Sequence, residues 1–134
     1  MSLRTLFATT LLCASILPFQ ATAAEPIVAL MPIVKELRAE LNLNADQNAS
    51  LDAWLAEAPA KRKSLEGEVA ALRSELRDAI LDGSTRMQRD DLKARLAAKE
   101  TRLIEMRSLC TRFLRNTLDK DDFDRVVATY RARN

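Results

Sequence analysis

From Leu65 onward the apolar residues recur at alternating steps of three and four. Leu65, Val69, Leu72, Leu76 and Ile80 (or Ala79) make one row. Leu92, Leu96, Leu103, Met106, Cys110 and Phe113 make a second, with Lys99 in one of its slots. Rows of this period keep one stripe of an α-helix turned toward a neighbour, whereas a strand would alternate every second residue. Between the rows stands Asp82-Gly83-Ser84-Thr85, where Gly83 suits a left-handed helix stop. Two stripes joined by so short a turn predict an antiparallel helical hairpin. The second arm is expected to start between Arg86 and Asp90 and to run to about Thr117, roughly 40 Å at the helical rise. Gly67 stands inside the first arm, where glycine costs about 1 kcal/mol relative to alanine.

Helix-start signals flank the hairpin. Pro32 suits the first turn of a short helix reaching Leu41, with Ile33, Leu37 and Leu41 on one face. In Leu43-Asn44-Ala45-Asp46-Gln47, Asn44 is placed to cap a new helix and Gln47 to reach back, as in a capping box. That helix carries Leu51, Trp54 and Leu55, and Pro59 is expected to kink or break it near Ala58. Near the other end, Leu118-Asp119-Lys120-Asp121-Asp122 repeats the punctuation. Asp119 stands as cap and Asp122 three residues on, both suited to the positive end of a helix. Phe123, Val126, Val127 and Tyr130 give the last helix its apolar face, and the basic end from Arg131 to Asn134 is expected to fray. The expected fold is all-α, an elongated four-helix chain built on a long antiparallel hairpin.

Composition bounds what such a chain does. Met1–Ala23 has one charge, Arg4, an apolar run from Leu6 to Leu17 and a small-x-small ending, Ala21-Thr22-Ala23. Residues 1–23 therefore read as a cleaved signal peptide and residues 24–134 as a single helical domain. The apolar run is short for a membrane span, so no stable membrane insertion is expected. With Arg4 removed, 20 Lys and Arg face 19 Asp and Glu, which is not the basic excess of a nucleic-acid binder. The chain has no histidine, and Cys110 is the one cysteine after residue 23. That inventory lacks the ligands of a zinc or copper site and excludes Ser-His-Asp and Cys-His catalysis. More than half the chain is Ala, Leu, Arg, Glu or Lys, so it buries seams between helices better than it encloses a pocket. No catalytic residue and no cofactor is expected.

With the two helix-start motifs, Leu43-Asn44-Ala45-Asp46-Gln47 and Leu118-Asp119-Lys120-Asp121-Asp122, the chain resembles the Spy/CpxP family of periplasmic helical proteins. That family carries two Leu-Thr-x-x-Gln motifs, each opening a helix on either side of a long hairpin. Asn44 and Asp119 replace the two Thr, and Asp122 the second Gln, each keeping a capping oxygen. The likeness runs from about Ile33 to Tyr130. It implies a thin, cradle-shaped antiparallel homodimer in the periplasm, acting as an ATP-independent chaperone or as a modulator of envelope-stress signalling. The His-rich segments through which some relatives bind metal are lacking.

The expected binding surface lies at the seam edges. Arg62, Arg73 and Arg77 run along one flank of the first arm, opposite Glu68 and Glu75. Arg95 and Arg102 flank the second arm, and Lys99 interrupts its row. Guanidinium groups beside exposed Leu and Met would speed capture of a non-native chain and hold it through apolar contact without demanding one shape. Met31, Met87 and Met106 would add adaptable apolar surface where exposed. Each cation has a plainer alternative, pairing with Glu across the hairpin or a dimer. Cys110 has two readings as well, a small buried hydrophobe or an intersubunit disulfide in an oxidising compartment. Asp121, Asp122 and Asp124 read as helix-start acids, with metal ligation as the less favoured alternative. The expected function is periplasmic holding of unfolded or misfolded envelope proteins. The alternative is a regulatory adaptor that docks on a membrane sensor kinase or an anti-sigma factor.

Overall fold

The computed structural model of the chain describes residues 25–134, and the expected signal peptide, residues 1–23, lies outside the described residues. Four helices follow in order, α1 (Met31–Leu37), α2 (Ala45–Leu81), α3 (Arg86–Thr117) and α4 (Lys120–Arg133), and no strand occurs among the described residues. The fold is all-α and elongated, with α2 and α3 as the arms of an antiparallel hairpin. At the helical rise, α2 alone is about 55 Å long.

Local chemistry sets the hairpin's turn. Gly83 takes φ 70°, and the Ser84 N–H donates to the Ala79 carbonyl at 3.0 Å, closing a Schellman-type stop. The next helix is opened by a capping box that the sequence reading passed over. Thr85 Oγ1 accepts from the Gln88 N–H at 3.3 Å, and Gln88 Oε1 accepts from the Thr85 N–H at 3.0 Å. The expected box at α2 is present too: Asn44 Oδ1 accepts from the Gln47 N–H at 2.9 Å, and Gln47 Oε1 from the Asn44 N–H at 2.8 Å.

Three local expectations are corrected. First, α2 runs through Pro59 without the break that was one of the two expectations there. The proline leaves the Leu55 carbonyl without its intrahelical donor. Side chains on both sides of it, Leu51 and Leu65, are buried and hold the helix against its neighbours. Second, α1 ends at Leu37 rather than Leu41. Arg38 turns away to bond Asn48 Oδ1 at 2.9 Å and Asp52 Oδ1 at 2.7 Å on α2, and Leu41 then drops into the core. Third, the C-terminal end does not fray before Arg133, whose guanidinium grips Glu36 on α1 in a fork of two bonds, 2.8 and 2.7 Å.

The second helix-start motif opens α4 where expected, with Asp122 in its first turn. Asp119 holds the N-cap position of α4 but its side chain makes no cap bond. Its Oδ1 accepts instead from Gln47 Nε2 at 3.2 Å, joining the two motifs. Asp122 is buried, 3% exposed, and its Oδ2 accepts from the Asn42 backbone N–H at 2.8 Å. Leu118 is buried and Leu43 half-buried in the same region.

The core sits at the open end of the hairpin, where α1 and α4 cover the base of the two arms. Leu30, Ile33, Val34, Leu51, Leu114, Phe123 and Val126 form it. Leu114 and Leu118 extend the buried face beyond the row ending at Phe113, because α4 packs on a second flank of α3. Towards the tip the core thins to one seam. Leu65, Val69 and Leu72 are buried on α2, while Leu92, Leu96, Leu103, Met106, Cys110 and Phe113 on α3 are all only half-buried. Two helices alone cannot close over both sides of such a stripe.

Candidate functional site

Two surfaces follow from this layout. The first is a groove where the core ends, about 830 Å³ in volume, bounded by the chain before α1, the Pro59 region of α2 and the Arg102–Phe113 part of α3. Its floor is Trp54 stacked on Phe113, ring centroids 4.2 Å apart and planes 12° from parallel, continued by Leu65, Met106 and Cys110. Its rim carries Lys61, Arg62, Lys99, Arg102 and Arg107.

Carboxylates answer most of that rim. Lys61 pairs with Glu57 at 3.1 Å, Arg102 with Glu105 at 3.2 Å, and Lys99 with Glu68 across the hairpin. Arg62 and Arg107 converge on a single carboxylate oxygen, Glu66 Oε1, at 3.3 and 3.0 Å. Only the Arg107 contact has hydrogen-bond geometry, and the buried Arg62 Nε–H, though close to the same oxygen, makes no hydrogen bond. The Arg107 side chain is 15% exposed. Burial, and secondarily the Arg62 charge, lowers its pKa from the usual guanidinium value. The Cys110 thiol moves the other way: burial pushes it up, against the pull of Arg107 and Arg62. Cys110 is a free, half-buried thiol.

The second surface is the outer length of the hairpin. Ile80, Leu81 and Met87 stand exposed at the tip and Ile104 along α3, while the exposed Leu109 borders the groove. A shallow hollow of about 270 Å³ lies between Arg73, Arg77, Leu76, Ile80 and Leu96.

The residues singled out from the sequence fall into separate places. Arg62, Lys99, Arg102 and Cys110 meet in the groove, while Arg73 and Arg77 line the hollow nearer the tip. Arg73 crosses the hairpin to Glu100, and Arg77 bonds Ser74 Oγ at 2.8 Å. Arg95 stands on the exposed side of α3, 3.6 Å from Asp91. Met87 is 80% exposed, but Met31 is 9% exposed and packed in the core, so it offers almost no free surface. Asp122 faces the Asn42 amide and Asp124 pairs with Lys120. Among the described residues no group of His, Cys, Asp and Glu is arranged to hold a metal ion, and no helix is long and apolar enough to cross a membrane.

Trp54, Phe113, Arg107 and Glu66 were not read as a site, though register offers a signal. Trp54 and Phe113 stand equally far along the chain from the 82–85 turn, so an antiparallel hairpin places them face to face. No family model, curated protein or solved structure matches this chain.

Proposed function

We propose that this chain is an exported, ATP-independent holding chaperone of the bacterial periplasm. It binds non-native envelope proteins and limits their aggregation under envelope stress. The observation that carries the reading is the apolar surface left uncovered along the hairpin, interleaved with cations. Ile80, Leu81, Met87, Ile104 and Leu109 are exposed, with Arg77, Arg95 and Arg102 exposed on the same two helices. Ile80, Leu81 and Met87 flank the 82–85 turn, and exposed apolar side chains grouped in this way suit an interaction face. Its chemistry suits a partner without fixed shape: methionine and aliphatic side chains repack, and positive charge speeds encounter.

The resemblance to the Spy/CpxP family supports the periplasmic setting and a homodimeric cradle. The two helix-start motifs have a structural part in that likeness, since Gln47 and Asp119 tie the ends of the hairpin together.

The test is aggregation of a chemically denatured client diluted into buffer with and without the protein, in the absence of nucleotide. Light scattering is expected to fall progressively up to equimolar protein. Undiminished scattering at equimolar amounts contradicts the proposal.

A further inference from the structure

The groove at the base of the hairpin, which shares Arg102 and Leu109 with the exposed face of α3, joins an apolar floor to a charged rim. Its rim holds one cation more than the carboxylates that answer it. Glu57, Glu68 and Glu105 each match one rim cation, whereas Glu66 serves both Arg62 and Arg107. Glu66 Oε1 hydrogen-bonds Arg107, whereas the buried Arg62 Nε stands 3.3 Å from the same oxygen without hydrogen-bond geometry, so the carboxylate satisfies Arg62 less fully. Directly beside these two guanidinium groups runs an apolar floor of Trp54, Leu65, Met106 and Cys110. At about 830 Å³ the groove lies within the usual range of small-molecule sites, roughly 300–1,000 Å³.

The geometry points to a binding site for a single-chain amphiphile with a carboxylate head, of the long-chain fatty acid class. The acyl chain lies along the Trp54–Met106 floor, and the carboxylate meets Arg62 and Arg107 where Glu66 leaves one positive charge over. A monoanion fits the excess of one charge, and a linear apolar tail fits a trough open along one side. This goes beyond the chaperone reading and does not depend on it.

Trp54 is the chain's only tryptophan and lies in the groove, so its emission reports occupancy. The purified protein is titrated with dodecanoate below its micelle concentration, and in parallel with dodecanol, with acetate, and with vesicles of anionic phospholipid. The expected result is a saturable emission change with dodecanoate. Dodecanol should bind about tenfold or more weakly, as expected for loss of a charge-assisted bond to a half-buried guanidinium, and acetate should give no response. Arg62→Gln should weaken dodecanoate by about the same factor and leave dodecanol unchanged. The wild-type comparison of acid with alcohol stands even if that variant folds poorly. Absence of a saturable change, equal affinity for acid and alcohol, or an equal response to vesicles each overturns the assignment. The last of these would identify a membrane surface as the ligand.

Discussion

Asp122 on α4 accepts a 2.8 Å hydrogen bond from the backbone N–H of Asn42, eighty residues earlier in the chain, and is the one charged residue buried among the described residues. The bond fixes the linker between α1 and α2 to the start of the last helix. The base of the hairpin is thereby closed by a carboxylate as well as by hydrocarbon. Asp122→Ala leaves the Asn42 N–H without its partner, and such a loss costs about 1–3 kcal/mol. A fall of several degrees or more in the thermal midpoint is expected. A midpoint within one degree of wild type would remove the bond from the account.

Acid should loosen the same end. Arg133 holds the Glu36 carboxyl below its ordinary value of 4.5, first by hydrogen bonding and then by charge. A carboxylate whose folded pKa is depressed contributes stability above its unfolded pKa and loses it as pH falls through the folded value. The contribution of this exposed pair should thus persist at neutral pH and fade below about pH 4.5. Thermal midpoints from pH 7 to pH 3 check it, with Glu36→Gln as comparison. The variant should lie below wild type at pH 7, and the gap should narrow as pH falls below 4.5. A constant gap across that range would contradict the assignment.

The two glycines separate conformation from packing. Gly67 is exposed within α2, and a Cβ there would meet no atom within 4 Å. Gly67→Ala should therefore raise stability by about 0.5–1 kcal/mol through helix propensity. Gly83 has equally open surroundings but a φ of 70°. Gly83→Ala should lower stability by about 1 kcal/mol. Denaturant unfolding of both variants decides the matter, and shifts of the same sign would contradict it.

Cys110 should react slowly. Burial raises its thiol pKa, so little thiolate is present near neutral pH, and the thiolate is the reacting species. Alkylation at pH 8 should proceed at least about tenfold more slowly in folded protein than in denatured protein. Equal rates would place the thiol in open solvent.

How much of this was legible in the sequence depends on the range of the interaction. The hairpin, Gly83, the Asn44–Gln47 box and the apolar face of α4 follow from spacing and local capping chemistry, which involve neighbours a few residues apart. Pro59 misleads because a helix long enough to bury Leu51 and Leu65 tolerates one missing bond, and burial is a tertiary quantity. Asp119 and Asp122 stand at the expected N-cap and first turn of α4, but the partners of their oxygens, Gln47 and Asn42, are ones that no local pattern brings near. Arg62 was singled out, but the groove was hidden because its other parts, Trp54, Phe113 and Arg107, each look like ordinary hairpin positions. Only the register across the turn sets them side by side.

The central claim is that function resides in exposed hydrocarbon along the hairpin, and a surface variant tests it most directly. Ile80→Ser, Leu81→Ser, Met87→Ser and Ile104→Ser combined alter side chains that are all exposed. Exposed positions of this kind usually change stability by no more than about 0.5 kcal/mol each. Capture of a denatured client should fall severalfold while the helical circular dichroism signal is kept. Client capture undiminished in the folded variant would contradict the account.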